Sequence, residues 1–520
     1  MRKVILAGAA LALAAAVSAP PASAFSKESL VWKKCAPCHA PVDGRLARVQ
    51  EIRTTPEEWT VIVDRMYRLH GMELAAGEMD TLLKELSATQ ILSPEEMAEV
   101  SYLHLFHNSQ HQEAPLGEEE ERFFAACVRC HSAGKVLSYR MTPESWAKVR
   151  DFHLWVDPAI VFQMREMHWI EEADAVLEYL AKIYPYGQDW KAPAPKLAGS
   201  WFVLGREPGK GTYRGKAEVK DLGGGEAALS GTLHFADGTS ESFSGEATVY
   251  GGYALRTRTK HNGFETLGAY SWADGVISGE HHFPAPDFRT SQSTWYPADG
   301  KARVLRVTPG YLLLGEETSL TIEGIGLPEV SAADLRFAGG TVEVLWARRT
   351  SPEVIEARVV SRVATVGEAS LQVKRLEGVP VQLAPRVDYI AVVPAIGRAR
   401  LDGGPHYPAE GVQFEAVAWS NGADFWDPSD DVELGPVSAT FRLAEEVTRP
   451  GDDDLHWVGQ IDTAGKYLPI GDYAPIPARE YSGEGSGWVK VLAEYRRGER
   501  TYVAEGRLAV TVPDYIQRIR

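Results

Sequence analysis

The feature that most constrains this chain is a five-residue pattern that occurs twice, as Cys35-Ala-Pro-Cys38-His39 and Cys127-Val-Arg-Cys130-His131. The two copies use all four cysteines of the 520 residues. Two thiols separated by two residues can form thioethers to the two vinyl groups of one haem, and the next imidazole can bind its iron. We predict two covalently bound haems c, with His39 and His131 as the proximal iron ligands.

Other functions of a Cys-x-x-Cys pair stay open. Such a pair can be a thioredoxin-like redox centre or half of a zinc site. The redox interpretation requires a βαβ context, which neither copy shows. A shared zinc site would have to join motifs 92 positions apart, from Cys35 to Cys127, and would leave both histidines without a role. Haem attachment is the interpretation that gives a role to every cysteine and histidine of both motifs.

The N-terminus has the pattern of a secretory signal. Arg2 and Lys3 precede an apolar run over residues 4–17, and Ala22-Ser23-Ala24 ends in a small-x-small cleavage signal. The run is shorter than the about 20 residues of a membrane span, and no other segment is long and apolar enough. We predict a signal peptide over residues 1–24, cleaved after Ala24, and a soluble periplasmic protein. Bacteria attach haem c outside the cytoplasmic membrane, which agrees with export.

The charge of the chain indicates which partners to expect. The formal net charge is −17, and removal of Arg2 and Lys3 with the signal peptide makes it −19. Nucleic acid and anionic lipid are therefore poor partners, whereas a basic redox protein would be attracted. The mature length of roughly 500 residues predicts several domains.

The first half of the mature chain is predicted to be helical and duplicated. Thr55-Pro56, Ser93-Pro94 and Thr142-Pro143 are helix N-termini with proline at the first helical position, and Glu58 and Glu96 would complete capping boxes in the first two. The order Cys-x-x-Cys-His, Thr-Pro-Glu-x-Trp and closing helix occurs twice, with closing helices at 82–86 and 176–180. We predict two cytochrome c folds in tandem, packed as one dihaem unit over residues 25–187.

Strand patterns replace helical ones after a proline-rich linker at 184–195. A hairpin with an Asp237-Gly238 turn indicates an antiparallel β-barrel-like domain over 196–302. We expect Trp201, Trp272 and Trp295 in its core. Two immunoglobulin-like β-sandwiches are predicted at 303–385 and 386–520. The predicted fold class is therefore multidomain α plus all-β.

Each iron needs a sixth ligand, which in the small cytochrome c fold lies before the closing helix. The first repeat offers His70 and Met72, and the second offers Met164 and Met167. Aligning the repeats through their Thr-Pro-Glu-x-Trp tryptophans adds a fifth candidate, His153. We predict His70 for the first haem and Met167 for the second, with Met72, Met164 and His153 as rivals. A thioether raises the haem potential relative to a second imidazole.

The rest of the chain offers no catalytic group. His281 and His282 are adjacent on a predicted strand, so their side chains point to opposite faces and a shared metal site is not expected. Nucleotide loops, Gly-x-Ser-x-Gly and zinc-protease motifs are missing from the sequence. We predict no catalytic residue in this chain.

The arrangement resembles the α (large, dihaem) subunit of quinohemoprotein amine dehydrogenase over essentially the whole mature chain. The resemblance rests on two Cys-x-x-Cys-His motifs about 90 residues apart, ahead of three all-β domains. It implies a periplasmic αβγ heterotrimer that oxidises primary amines to aldehyde and ammonia. The β subunit would be a propeller, and the γ subunit would carry cysteine tryptophylquinone.

In that family the α subunit transfers electrons. The resemblance implies that the haems held by Cys35, Cys38, Cys127 and Cys130 accept electrons from the reduced quinone and pass them to a soluble cytochrome c or blue copper protein. A cysteine tryptophylquinone in this chain would require a fifth cysteine, so the chain should not oxidise amines by itself.

Two other functions remain open. The chain could be a stand-alone periplasmic dihaem electron carrier whose β modules bind a partner, which isolation without other subunits would favour. It could also be a dihaem peroxidase, which a high-spin haem that reacts with peroxide would favour.

Overall fold

The structure is a computed structural model that describes residues 25–105, 113–115, 117–128, 131–187, 195–284, 287–404, 408–471, 476, 479 and 485–512. The chain divides into two compact units, one formed by residues 1–96 with 115–193 and the other by 97–114 with 194–520. The predicted signal peptide, Cys130 and most of the predicted linker lie outside the described residues. No helix in the described ranges is long and apolar enough to cross a membrane.

The first unit is mainly helical, as its sequence predicts. Thr55 and Thr142 cap two long helices, and each side-chain oxygen accepts the N–H three residues on, with proline at the first helical position. The helices are α1 (Leu30–Cys35), α2 (Pro56–His70), α3 (Glu78–Thr89), α4 (Pro94–Glu99), α5 (Glu118–Cys127), α6 (Ala133–Leu137), α7 (Pro143–Val156), α8 (Ile160–Gln163) and α9 (Trp169–Ile183). Four two-residue strands accompany them: β1 (Pro41–Val42), β2 (Arg45–Leu46), β3 (Ile52–Arg53) and β4 (Arg140–Met141).

The two halves of this unit are built alike. Trp59 of α2 and Trp146 of α7 are both almost fully buried. The Trp59 indole donates to the carbonyl of Gln90, just after α3, at 2.7 Å, and the Trp146 indole points to the carbonyl of Tyr184, just after α9, at 3.4 Å. In each repeat, the tryptophan of the Thr-Pro-Glu-x-Trp helix thus contacts the backbone just after the closing helix.

Polar contacts join the two repeats. The strands β3 and β4, which precede the two capped helices, pair antiparallel. The Glu58 carboxylate accepts hydrogen bonds from the Tyr139 hydroxyl at 2.6 Å and from the Lys135 ammonium. We expected this carboxylate to complete a capping box at Thr55. Instead it accepts hydrogen bonds from two side chains of the other repeat. The two repeats form one unit through such contacts.

Glu96 lies at the centre of a buried charge cluster between the repeats. The Arg53 guanidinium donates two hydrogen bonds to its carboxylate, at 2.7 and 2.9 Å, and Arg140 donates a third at 3.0 Å. Glu96 also accepts from the Ser93 N–H at 2.7 Å while its own N–H donates to the Ser93 hydroxyl at 3.2 Å, which confirms the capping box predicted there.

In the described part of the second unit, eight antiparallel strands close into a barrel, which confirms the predicted barrel. The order is sequential, with the last strand returning to the first. Trp201 and Trp295 are buried in the core, and Trp272 packs against it half-buried. The strands are β5 (Gly199–Glu207), β6 (Gly211–Gly223), β7 (Glu226–Phe235), β8 (Ser240–Tyr250), β9 (Ala254–His261), β10 (Phe264–Ala273), β11 (Val276–His282) and β12 (Thr290–Pro297).

The predicted hairpin joins β7 and β8. Gly238 adopts a left-handed φ of +86°, and the Asp237 carboxylate accepts the Thr239 N–H at 2.8 Å. Asp-Gly favours this tight turn because glycine has no steric penalty at positive φ. The short 3-10 helix Ser101–Leu105 contacts β10 and β11.

Two further groups of sheets complete the second unit. Between 303 and 384, two four-stranded sheets share one apolar core that includes Ile322, Val359 and Leu371. Their strands are β13 (Arg303–Thr308), β14 (Tyr311–Leu313), β15 (Glu317–Ile325), β16 (Leu335–Ala338), β17 (Val342–Ser351), β18 (Val354–Ser361), β19 (Gly367–Val373) and β20 (Val379–Ala384).

The C-terminal strands surround a core that includes Phe414, Val491 and Leu508. They are β21 (Tyr389–Val393), β22 (Ile396–Arg400), β23 (Val412–Gln413), β24 (Glu415–Ser420), β25 (Val432–Val437), β26 (Thr440–Glu445), β27 (Gly459–Ile461), β28 (Lys466–Pro469), β29 (Gly487–Arg497) and β30 (Arg500–Thr511). In the long β29–β30 hairpin, every second residue of the middle of β29 is buried, at Val489, Val491 and Ala493.

Candidate haem-binding site

The first Cys-x-x-Cys-His motif begins where a helix ends. Cys35 is the last residue of α1, and its carbonyl accepts the N–H groups of Cys38 at 3.1 Å and His39 at 2.8 Å. The chain therefore folds back over one turn, which brings both thiols and the imidazole to the same end of α1. Cys35 and His39 are half-buried and Cys38 is exposed.

The second motif begins in the same way. Cys127 is the last residue of α5 and is half-buried, as is His131. Cys130 lies outside the described residues, so its part in the second motif remains a prediction. Both motifs thus follow a helix that packs against the closing helix of its repeat, α3 or α9.

Burial makes the two leading cysteine thiols hard to ionise. It raises the pKa of Cys35 to about 11, with neighbouring Cys38 and Glu85 adding to the shift, and it raises the pKa of Cys127 to about 12. A thioredoxin-type cysteine requires the opposite shift, because the thiolate is its nucleophile. This environment disfavours the redox-pair interpretation of both motifs.

Three histidines are oriented by backbone carbonyls. Nδ1 of His39 lies 3.1 Å from the Ala47 carbonyl, Nδ1 of His131 lies 3.1 Å from the Ser132 carbonyl, and Nδ1 of His153 lies 2.8 Å from a carbonyl of its own helix. A carbonyl can only accept, so Nδ1 must carry the proton in each ring. Each Nε2 is left with a free lone pair, which is the state that binds a metal.

The two proximal imidazoles are also biased toward the neutral form. Burial lowers the pKa of His39, and the charges of Arg48 and His70 lower it further. Burial likewise lowers the pKa of His131, with His153 contributing in the same direction. Neutral rings at physiological pH are what haem iron requires of its ligands.

An apolar cavity adjoins the second motif. Its empty space is about 520 Å³, part of it open to solvent, and Val136, Ile160, Leu177 and Leu180 contribute to its walls. His131 lines the cavity together with Cys127. The apolar lining, with a cysteine and a histidine among the wall residues, has the chemistry that a covalently attached haem requires, so the residues present fit a haem here.

His153 of α7 faces His131 across this cavity. Their ring centres are 6.3 Å apart, and the ring planes are inclined by 49°. A metal bonded to both Nε2 atoms at about 2.0–2.1 Å would hold two imidazole ring centres roughly 6 Å apart. This separation would allow both rings to hold one iron.

The methionines of the second repeat lie differently. Met164 is 4% exposed and lines the same cavity. Met167 is half-buried and packs against two neighbouring apolar clusters. The structure thus brings the rivals His153 and Met164 to the cavity that His131 lines, and places Met167 among core side chains.

In the first repeat, His70 ends α2 and lies close enough to His39 to affect its pKa. It is exposed, and its ring stacks on Trp155 with centres 6.1 Å apart and planes inclined by 26°. Met72 follows Gly71 and is half-buried, with its N–H bonded to the Met66 carbonyl.

Sequence reasoning did not identify the groups that orient the ligands. The carbonyls of Ala47, Ser132 and Val149 carry no sequence signal, because every residue type has the same backbone acceptor. Phe152 and Trp155 surround His153 and His70. Phe152 and Trp155 are three residues apart on a predicted helix. This spacing indicates that their rings share one helix face.

Comparison with known families finds a haem-binding family over the helical unit. Residues 25–190 match the family described as quinohemoprotein amine dehydrogenase A, alpha subunit, haem binding. Residues 194–287 match domain II of the same alpha subunit, and residues 390–519 match its domain IV.

The chain belongs to the quinohemoprotein amine dehydrogenase alpha-subunit family. The sequence resemblance is thereby confirmed, and the family assigns haem binding to the first, helical unit. An alpha subunit of an amine dehydrogenase is one part of a multisubunit oxidoreductase. No curated protein matches the chain.

Solved structures resemble only parts of the chain. A redesigned beta barrel, mFAP1, bound to DFHBI has 15% identity, covers 19% of this chain and 94% of its own length, and has a TM-score of 0.18. Mouse clustered PcdhgC3 EC1-3 has 12% identity over 46% of this chain and 77% of its own, with a TM-score of 0.17. Scores this low carry no inference about function.

Proposed function

We propose that this chain is the electron-transfer subunit of a quinohemoprotein amine dehydrogenase. It would accept electrons from a cysteine tryptophylquinone held in a separate small subunit, while that subunit oxidises primary amines to aldehyde and ammonia. It would pass the electrons to a soluble cytochrome or copper protein. The observation that carries the proposal is the pair of imidazoles, His131 and His153, that face each other across an apolar cavity beside a Cys-x-x-Cys-His motif.

The proposed ligand sets follow from the positions of the side chains. Cys35 and Cys38 would hold the first haem covalently, with His39 and His70 on its iron. Cys127 and Cys130 would hold the second haem covalently, with His131 and His153 on its iron. His153 replaces Met167 in this proposal, because His153 faces the proximal ring whereas Met167 packs into neighbouring clusters.

A bound haem supplies reversible one-electron chemistry. The chain's own residues orient it and set its surroundings. Each carbonyl partner keeps an imidazole in the tautomer whose Nε2 can bind iron, and the apolar walls of the cavity limit the access of water. With two imidazoles on each iron, both haems would have lower potentials than a methionine-ligated haem.

The all-β part is proposed to be a scaffold for subunit assembly. We assign a barrel domain to 196–302 and immunoglobulin-like sandwiches to 303–385 and 386–520, following the dihaem domain at 25–187. A signal peptide over residues 1–24 would place the mature protein in the periplasm. Its partners would be a propeller β subunit and a quinone-bearing γ subunit.

Purification of the native complex from its host tests this function directly. We expect mass spectrometry to find two further subunits, the smaller one carrying internal crosslinks and a quinone that stains in a redox-cycling assay. Added primary amine should then reduce the haems of the intact complex. A chain isolated with haems but without a quinone-bearing partner would contradict the proposal and favour a stand-alone carrier.

A peroxide assay on the same preparation separates the remaining alternative. Because two imidazoles would hold each iron, we expect low-spin haems that do not react with peroxide. A high-spin haem with peroxide turnover would instead identify a dihaem peroxidase.

A further inference from the structure

A continuous row of aromatic rings links the candidate ligands of the two haems. The Trp155 ring lies 6.1 Å from that of His70 and 6.2 Å from that of Phe152, measured between ring centres. Phe152 in turn lies 5.8 Å from His153, and His153 lies 6.3 Å from His131. The row therefore runs from the end of α2 in the first repeat to the cavity of the second repeat.

The sequence of α7 places these rings. Phe152 and Trp155 are three residues apart, so they occupy neighbouring positions on one face of the helix, and His153 is adjacent to Phe152. The Arg65 guanidinium of α2 lies over the Phe152 ring, 4.4 Å from its centre. This cation–π contact holds the middle ring of the row in place.

Trp155 is exposed although its side chain is large and mostly apolar. It is 57% exposed, whereas the tryptophans that build the core, Trp59 and Trp146, are nearly inaccessible. Its side chain therefore contributes little to core packing. The ring of Trp155 instead lies next to the rings of His70 and Phe152.

We propose that Trp155 and Phe152 form the route by which electrons pass between the two haems. The proposal rests on the dihaem function proposed above. Electron tunnelling weakens exponentially with distance, and it weakens more steeply across empty space or water than through packed atoms. Each event would transfer one electron from one haem iron to the other, so that the first would be oxidised and the second reduced. No bond forms or breaks, no proton moves, and the rings remain unchanged.

The test measures electron transfer between the haems of the purified holo-chain. Rapid photochemical or radiolytic reduction delivers less than one electron per molecule, and absorbance follows how that electron redistributes. Trp155→Leu keeps an apolar side chain but removes the ring, and we expect several-fold slower redistribution. Trp155→Phe keeps a ring at the same position and should restore most of the rate.

Phe162→Leu is the matched control, because Phe162 is 75% exposed, lies in the same unit, and makes no contact in the row. Its redistribution rate should equal that of the unchanged chain. Spectra and midpoint potentials of each variant show whether the haems and their ligands are intact.

Three outcomes would overturn the proposal. An unchanged rate in Trp155→Leu with intact haems would exclude this route, as would an equal loss in the Phe162→Leu control. A changed potential of one haem that accounts for the slower rate would make Trp155 a positioning residue for His70 instead. A chain that contains fewer than two haems would contradict the proposed dihaem function itself, so the two failures are distinguishable.

Discussion

At the scale of single residues, the site depends on which histidine nitrogen carries the proton. The carbonyls of Ala47, Ser132 and Val149 each take the Nδ1 proton of a histidine and leave Nε2 free. Protein metal sites commonly fix a ligand in this way, since the second hydrogen bond sets both tautomer and ring orientation. The ligand set is therefore determined by backbone geometry as much as by side-chain identity.

Removal of both thiols from one motif should remove one covalent haem. We expect Cys35→Ala with Cys38→Ala to halve the haem content, because thioether bonds are the only covalent attachment that the motif can offer. A pyridine haemochrome assay on denatured protein measures this. Retention of two covalent haems would contradict the assignment of the motif.

Single substitutions also distinguish His153 from Met164 as the proposed sixth ligand of the second haem. We expect His153→Met to raise the potential of that haem, because a thioether favours the ferrous state more than an imidazole does. Met164→Leu, which retains the size of the cavity wall, should leave both haem spectra unchanged. Redox titration and electron paramagnetic resonance measure the two effects.

The opposite pattern would assign the ligand to methionine. In that case Met164→Leu would abolish the absorption band typical of methionine-ligated ferric haem, and His153→Ala would leave the ligation intact.

At the scale of elements, the two repeats are held together by a buried ion cluster. Burial alone would raise the pKa of Glu96, but the hydrogen bonds and charges of Arg53 and Arg140 outweigh it and hold the pKa of Glu96 below its usual range. The side chains of Glu96, Arg53 and Arg140 are at most 7% exposed. Loss of the carboxylate would leave two buried guanidinium groups without their partner.

Glu96→Gln should lower the free energy of unfolding by about 3–5 kcal/mol at pH 7. Because the pKa of Glu96 is depressed in the folded state, its stabilisation is fully present above its usual pKa of about 4.3 and is lost as the pH falls further. The difference from the unchanged chain should therefore shrink in acid. Urea unfolding of the holo-chain and of the variant, at pH 7 and in acid, tests this.

The neighbouring Glu95 supplies the control, since it is exposed on the same helix. Glu95→Gln should change the stability by less than about 0.5 kcal/mol. An equal effect of both variants, or a deficit that stays constant in acid, would show that the cluster does not join the repeats.

At the scale of the whole molecule, negative charge dominates the surface field. The formal net charge of −17 would attract a basic redox protein over long distances. Salt weakens that attraction, because the Debye length falls from about 10 Å at 0.1 M to about 3 Å at 1 M ionic strength. The charge thus influences the rate of encounter with an electron acceptor more than it influences the fold.

We expect the reduced holo-chain to reduce a basic cytochrome c at a rate that falls steeply as salt is added. Stopped-flow kinetics over a range of ionic strength measures this rate. An acidic blue copper protein serves as the comparison, and its rate should rise with salt. Rates that do not depend on salt would show that encounter is not steered by charge.

Much of the fold could be predicted from local patterns. Thr142-Pro143 indicated the start of α7, and Asp237-Gly238 indicated the turn between β7 and β8, because capping and turn chemistry act over a few residues. The contacts of Glu58, the predicted capping partner of Thr55, differ from the prediction. Glu58 binds Lys135 and Tyr139 of the other repeat, and no local pattern reveals a contact between residues so far apart in sequence.

The sequence by itself determined the two Cys-x-x-Cys-His motifs, the duplication around them and the change from helices to strands, since each is expressed in the order and spacing of residues. Only the tertiary structure decided which side chains face His131. It placed His153 and Met164 at the cavity that His131 lines, whereas Met167 packs against the apolar clusters that form the walls of that cavity. The reason is physical: an axial ligand is selected by how α7 packs against its neighbours in three dimensions, and several residues of suitable chemistry precede each closing helix.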